Sequence, residues 1–159
     1  MKLKFMILLT IEFLLFQACS VKHVATQDRL QQQSEALMLE AIEDFISSTP
    51  YCALIQHTSV DVSPDPNDPH SEINIYHAKV LETFRGQQFR NISYILISDK
   101  GSDPTLVKQP VIITLCSDKD GFFWPGTGSM FEATEEVIKK ARRIGQKLKF
   151  VKQPFPDCE

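Results

Sequence analysis

The chain is short of most features that announce a function. Its longest apolar run, residues 5–16, falls below the roughly twenty residues that a membrane-spanning helix requires, and Gln17, Ser20, Lys22 and His23 close it. Neither charge dominates: 17 basic residues stand against 20 acidic ones, interspersed along the chain, so no electrostatic footprint for nucleic acid exists and nucleic-acid binding is not expected. No two cysteines lie close enough in sequence to form a zinc site, and no internal repeat or low-complexity tract is visible. Above all, no recognisable catalytic set is present. A non-enzymatic protein without a cofactor is therefore expected.

The N-terminus, by contrast, carries a clear pattern. Lys2 and Lys4 precede the apolar run Phe5 to Phe16, interrupted by Thr10 and Glu12, which is the layout of a secretory signal peptide over residues 1–18. The following Phe16-Gln17-Ala18-Cys19 resembles the lipobox of bacterial lipoproteins, with Phe16 where that family usually has Leu and Gln17 where it has a small residue. The resemblance implies acylation at Cys19 and a membrane partner through the lipid anchor. Ser20 stands where an Asp marks inner-membrane retention, which implies an outer-membrane lipoprotein facing the periplasm. Ordinary cleavage at an Ala18-x-Ser20 site, giving a soluble periplasmic protein, is the alternative. Residues 19–27 read as a polar tether, and 28–159 as a single globular domain.

With Cys19 lipidated, Cys52, Cys116 and Cys158 remain in an oxidising compartment, so one disulfide and one leftover thiol are expected. Three pairings are open. A strand-to-strand link of Cys52 with Cys116 is favoured over one that pins the tail through Cys158.

Periodicity divides the domain. Leu30, Leu37, Met38, Ala41, Ile42 and Phe45 recur at helical spacing, with Asp28 as N-cap and Ser47-Ser48-Thr49-Pro50 as the stop. From Tyr51 the period becomes two. Strands are predicted over 52–62, 73–84 and 89–97, then a fully apolar central strand over 111–116, and a return through Phe122, Phe123 and Trp124 after an Asp120-Gly121 hairpin. A second helix is predicted over 133–144 with Val137, Ile138, Ala141 and Ile144 inward and Gly145 as its stop, followed by a terminal strand through Leu148, Phe150 and Val151. The basic cluster Lys139, Lys140, Arg142, Arg143, Lys147 and Lys149 suits a helix C-terminal end. The order predicts an α+β fold: an N-terminal helix, an antiparallel meander or OB-like barrel of about five strands, and a C-terminal helix. The connections are too short for parallel crossovers.

Tyr76-His77-Ala78-Lys79-Val80-Leu81-Glu82-Thr83-Phe84-Arg85-Gly86, with the later Pro110-Val111-Ile112-Ile113-Thr114-Leu115-Cys116, resembles the netrin-like, tissue-inhibitor-of-metalloproteinase-like domain in bacterial form. The likeness covers about half of the mature chain. It implies a five-strand OB-type barrel with flanking helices. Inhibitory members insert an N-terminal cysteine into a metalloprotease, but Cys52 follows a long helix, so that route is not implied here.

Two groups are candidates for chemistry or binding. His57, Asp61, Asp65, Asp68, His70, Glu72 and His77 are the densest set of potential metal ligands, and alternation puts His57, Ser59 and Asp61 on one strand face. No known ligand spacing is matched, and Asp, Asn and Pro are ordinary turn residues, so a solvated loop without metal is the favoured reading. Asp118 and Asp120 before Gly121 resemble a calcium loop, but Thr127 stands where a bidentate Glu belongs. Gly126-x-Gly128 is too short to cradle a phosphate, and Cys116 lies in an apolar run that suppresses thiolate chemistry. The consecutive aromatics Phe122, Phe123 and Trp124 cannot all face inward on one strand; a sheet covered by the first helix would bury both faces, and otherwise they are candidate anchors for an envelope protein partner. The leading expectation is a protein-binding, inhibitor- or immunity-like envelope lipoprotein. A structural component of the envelope and a metal-dependent enzyme using the 57–77 region are the alternatives.

Overall fold

The computed structural model describes residues 33–34, 36–148, 155 and 158. The expected signal segment, Cys19, the tether, the Asp28 cap and the terminal strand through Phe150 and Val151 lie outside them. Residues 33, 34, 36 and 37 are helical and exposed. From Met38 onward the chain forms one compact unit.

Helix α1 occupies residues 36–48. Its end follows the sequence signal: the Thr49 hydroxyl donates to the Phe45 carbonyl at 2.7 Å, and Arg85 Nη1 donates to the carbonyls of Ile46 and, at 2.9 Å, Ser47. These bonds satisfy acceptors that a helix terminus leaves open. Six strands follow, β1 (Tyr51–Pro64), β2 (Ser71–Arg85), β3 (Asn91–Asp99), β4 (Val111–Asp118), β5 (Gly121–Phe123) and β6 (Met130–Glu132), and then α2 (Glu135–Leu148). Pairing runs β1-β2-β3-β5-β4 and closes from β4 back to β1, while β6 adds to β4. Among the described residues the result is an α+β fold, a closed, OB-like five-strand barrel with α1 before it and α2 after it in the chain.

Every pairing is antiparallel except β3 with β5. Short connections do exclude a parallel crossover between successive strands, but β3 and β5 are not successive. The chain crosses the barrel as β4, and the Asp118–Gly121 hairpin returns it alongside β3. β6 carried no sequence signal, since three residues are too few for a period to show.

Alternation splits the apolar residues between two clusters. Tyr51, Ala53 and Ile55 of β1, Tyr76 and Ala78 of β2, Ile92 and Tyr94 of β3, and Val111, Ile113 and Leu115 of β4 fill the barrel. Their strand neighbours point outward, and there Cys52, Ile112, Phe84 and Phe131 are buried under Ile42 and Ile46 of α1 and Val137, Ala141 and Ile144 of α2. Two ion pairs help to seat α2: Lys140 with Glu43 at 2.9 Å, and a bidentate Arg142 with Glu82 at 2.6 and 2.8 Å. Part of the basic cluster therefore ties the helix down rather than only solvating it. The Lys140 ammonium, hydrogen-bonded to Glu43, holds that carboxyl below its ordinary pKa.

Gly145 does not stop α2, which continues to Leu148. Its role is close approach: a Cβ there would meet the Phe84 carbonyl oxygen at 2.1 Å, so glycine lets the helix lie against the end of β2. The start of α2 is capped, with Thr134 Oγ1 accepting from the Val137 amide at 3.3 Å and Glu135 and Glu136 in the first turn.

The expected Cys52–Cys116 link is not formed. Cys116 is joined to Cys158, and Cys52 is a buried free thiol. The β1–β4 register explains this, because Cys52 pairs with Thr114, leaving Cys116 two residues further along its strand. A disulfide needs closer Cβ atoms than such a diagonal offers. Burial pushes the Cys52 thiol far above its ordinary pKa, so it stays protonated and inert.

Candidate functional site

The seven potential ligands between His57 and His77 do not converge. A bulge between His57 and Ser59 shifts the β1 register and reverses which side faces in. His57 is consequently buried in the barrel, whereas Asp61 is exposed. This corrects the expectation that alternation places both on one face. Inside, His57 Nδ1 donates to the Val107 carbonyl at 3.2 Å, and Nε2 accepts from the Tyr94 hydroxyl at 2.9 Å. Burial lowers the His57 pKa, partly offset by the bond to Val107. A neutral imidazole thus ends an aromatic column. Trp124 stacks on Tyr94 with centroids 6.1 Å apart, Tyr94 stacks on Tyr76 at 5.2 Å, and His57 leans on Tyr76 at 5.5 Å.

The acids of the 65–70 loop, and Glu72 at the start of β2 beyond it, are used locally. Asp65 accepts from the Asn67 amide at 2.8 Å, Asp68 from the His70 amide at 2.9 Å and the Ser71 hydroxyl at 2.7 Å, and Glu72 from the Gly101 amide at 3.2 Å. The bonds to His70 and Ser71 lower the Asp68 pKa. His70 is exposed in that loop. Among the described residues no group of three or more potential ligands is placed to hold a metal ion.

On the outer wall, His77 Nε2 donates to Asp61 at 2.8 Å and Nδ1 accepts from Ser93 at 2.7 Å, spanning β1, β2 and β3. The connectivity is that of a nucleophile, base and acid. Here it lies on a strand surface, where backbone amides run in the plane of the sheet and cannot converge above the serine as oxyanion donors. A cross-strand clip is what the geometry provides.

Phe122, Phe123 and Trp124 divide by alternation. Phe122 and Trp124 pack against the barrel interior, Phe122 with its ring 4.6 Å from that of Tyr51. Phe123 takes the opposite side. It pairs across with Ile95, Ile95 with Ile75, and in the next outward row Ile97 pairs with Ile73. These five side chains form an outward apolar face that belongs to neither core cluster. Ile97 is 62 % exposed.

Among the described residues the same region has an open strand edge. The Trp124 amide donates to the Ile95 carbonyl at 2.8 Å, and the Lys100 amide donates on the opposite side, to His70, at 2.8 Å. Backbone groups of alternate residues share an edge, so those of Ile97 point the same way as those of Ile95, toward the β5 side. There β5 has already ended, because the β3–β5 pairing stops at Ile95 and Phe123 and Pro125 follows. A cleft of about 480 Å³ occupies the gap, walled by Ile95 and Ile97 on one side and by Phe123 and Pro125 on the other. Its charged lining residues are Asp118 and Asp120. Asp118 Oδ1 accepts from the Asp120 and Gly121 amides at 2.8 and 3.1 Å, forming a hairpin turn rather than a calcium loop.

Of the three aromatics singled out in the sequence, Phe122, Phe123 and Trp124, only Phe123 lies on this outward face, and its neighbours Ile75, Ile95 and Ile97 were not singled out. Which side of a barrel a helix leaves bare is not written in any one strand. No known family model matches this chain, and it has no match among curated proteins or solved structures.

Proposed function

We propose that this is a non-enzymatic, exported binding module that takes up an extended, basic segment of another envelope protein along the open edge of β3. One observation carries the reading: Ile97 is 62 % exposed on a strand edge that no described residue pairs with, beside a cleft whose described charges, Asp118 and Asp120, are acidic. Adding a strand would extend the sheet where β5 breaks off, and backbone bonds would supply affinity. Ile97 and Phe123 would grip apolar side chains, while Asp118 and Asp120 select a Lys or Arg. Phe122 and Trp124 support this site from within the barrel and do not touch the partner.

The address completes the proposal. Residues 1–18 direct export, and acylated Cys19 with its tether holds the domain at the outer membrane, facing the periplasm. Intact mass of the mature protein with and without reductant tests this part, since a cleaved chain lacking acyl mass would remove the anchor.

Affinity capture from solubilised envelopes tests the binding site, with wild type compared with Phe123→Ala, Ile97→Asp and Lys119→Ala. One protein should be retained by wild type and Lys119→Ala and lost by the other two. Equal recovery by all four forms would remove β3 and Phe123 from the account.

A further inference from the structure

A second cleft, of about 460 Å³, lies where the end of β2 meets the C-terminal ends of α1 and α2. Arg85 lines it, only 7 % exposed, and among the described residues it has no carboxylate in ion-pair reach. A buried cation without a counter-charge is costly, and burial pulls the guanidinium pKa below its ordinary value.

The bonds that Arg85 does make leave one side of it free. Nη1 donates to the Ile46 and Ser47 carbonyls, and Cζ lies over the Phe155 ring, 5.0 Å from its centroid. A guanidinium carries five N–H groups, and those on Nε and Nη2 bond to no described residue. They form the in-plane fork that matches a planar carboxylate with two parallel hydrogen bonds. Apolar walls come from Phe84, Leu148 and Phe155, and Thr83, Gln88 and Gln146 add neutral polar groups. Among the described residues no other charged one lines the cleft, so a single negative charge is matched and a doubly charged phosphate is not. Two glycines let the walls of the cleft pack closely: a Cβ on Gly86 would meet the Pro50 oxygen at 2.9 Å, and one on Gly145 the Phe84 oxygen at 2.1 Å.

We infer that this cleft binds a small monocarboxylate with an apolar body, its carboxylate held by the Nε and Nη2 edge of Arg85. The site is separate from the β3 edge, and its success or failure leaves that reading untouched.

Benzoate is the probe, titrated into the mature, disulfide-intact protein while the Gly86 and Gly145 amide resonances are followed. Benzoate should shift both saturably, the isosteric neutral benzamide should shift neither, and acetate, lacking the apolar body, should bind roughly tenfold more weakly. Arg85→Lys, which keeps the charge but loses the fork, and Arg85→Gln, which loses both, should weaken benzoate in that order, the second by roughly tenfold or more. Should Arg85→Gln fail to fold for want of its α1 cap, benzoate against benzamide on the wild type still decides. Equal shifts from benzoate and benzamide, no saturable shift from benzoate, or undiminished binding by folded Arg85→Gln would each overturn the assignment.

Discussion

Cys52, Ile112 and Phe131 face outward from one side of the barrel and are buried beneath α1 and α2, whereas Ile75, Ile95, Ile97 and Phe123 face outward from the other side with no described element over them. Both sets arise from the same two-residue period, and both place large apolar side chains outside a barrel that is already filled. The difference is that, among the described residues, the chain covers one face only. On the first face, outward apolar residues contribute to stability. On the second they add little to it, which makes them available to a partner.

The largest test of this contrast is truncation under the helices. Ile112→Ala, at a site with no exposure, should cost about 2–5 kcal/mol in urea denaturation. Next comes the tail: Cys158→Ser opens a link spanning 42 residues and should cost about 3 kcal/mol, a loss that reductant reproduces on wild type and not on the variant. Gly145→Ala should cost about 1–3 kcal/mol despite alanine's better helix propensity, because its Cβ would press α2 off Phe84. On the bare face, Ile97→Ala should change stability by no more than about 0.5 kcal/mol. An Ile97→Ala cost comparable to that of Ile112→Ala would erase the distinction between the faces.

A smaller effect concerns the interior on which both faces rest. Burial lowers the His57 pKa from its ordinary 6.5, so the unfolded chain takes up a proton more readily than the native one. Stability is therefore full above about pH 6.5 and falls as pH drops below it toward the native pKa. His57→Gln should flatten that part of the stability profile, with thermal midpoints measured from pH 7.5 to 5. A variant whose midpoints fall as steeply as the wild type's would dismiss His57 as the cause.

The sequence made the barrel wall readable because strand alternation is a local property. The predicted strands 52–62, 73–84 and 111–116 each lie within an observed strand, and the α+β, OB-like architecture follows from their order. What failed depended on events between strands. One bulged residue after His57 reversed the facing of Asp61 and dissolved the expected ligand group. A register offset of two residues separated Cys52 from Cys116. Gly145 read as a helix stop because glycine serves both termination and close packing, and only the position of Phe84 distinguishes them. The candidate site was half legible. Three consecutive aromatics required one to face away, but the interior column of Tyr94, Tyr76 and His57 was needed to show that the outward one is Phe123.

The central claim is that the uncovered face of β3 and β5 meets a partner and the helix-covered side does not. Site-specific photo-crosslinking in intact cells tests it directly, with the photoreactive residue at position 97 in one strain and at exposed position 143 on α2 in another. The account predicts one discrete adduct from position 97, abolished by Phe123→Ala, and none of that mass from position 143. The same adduct from both positions, or none from position 97, would contradict it.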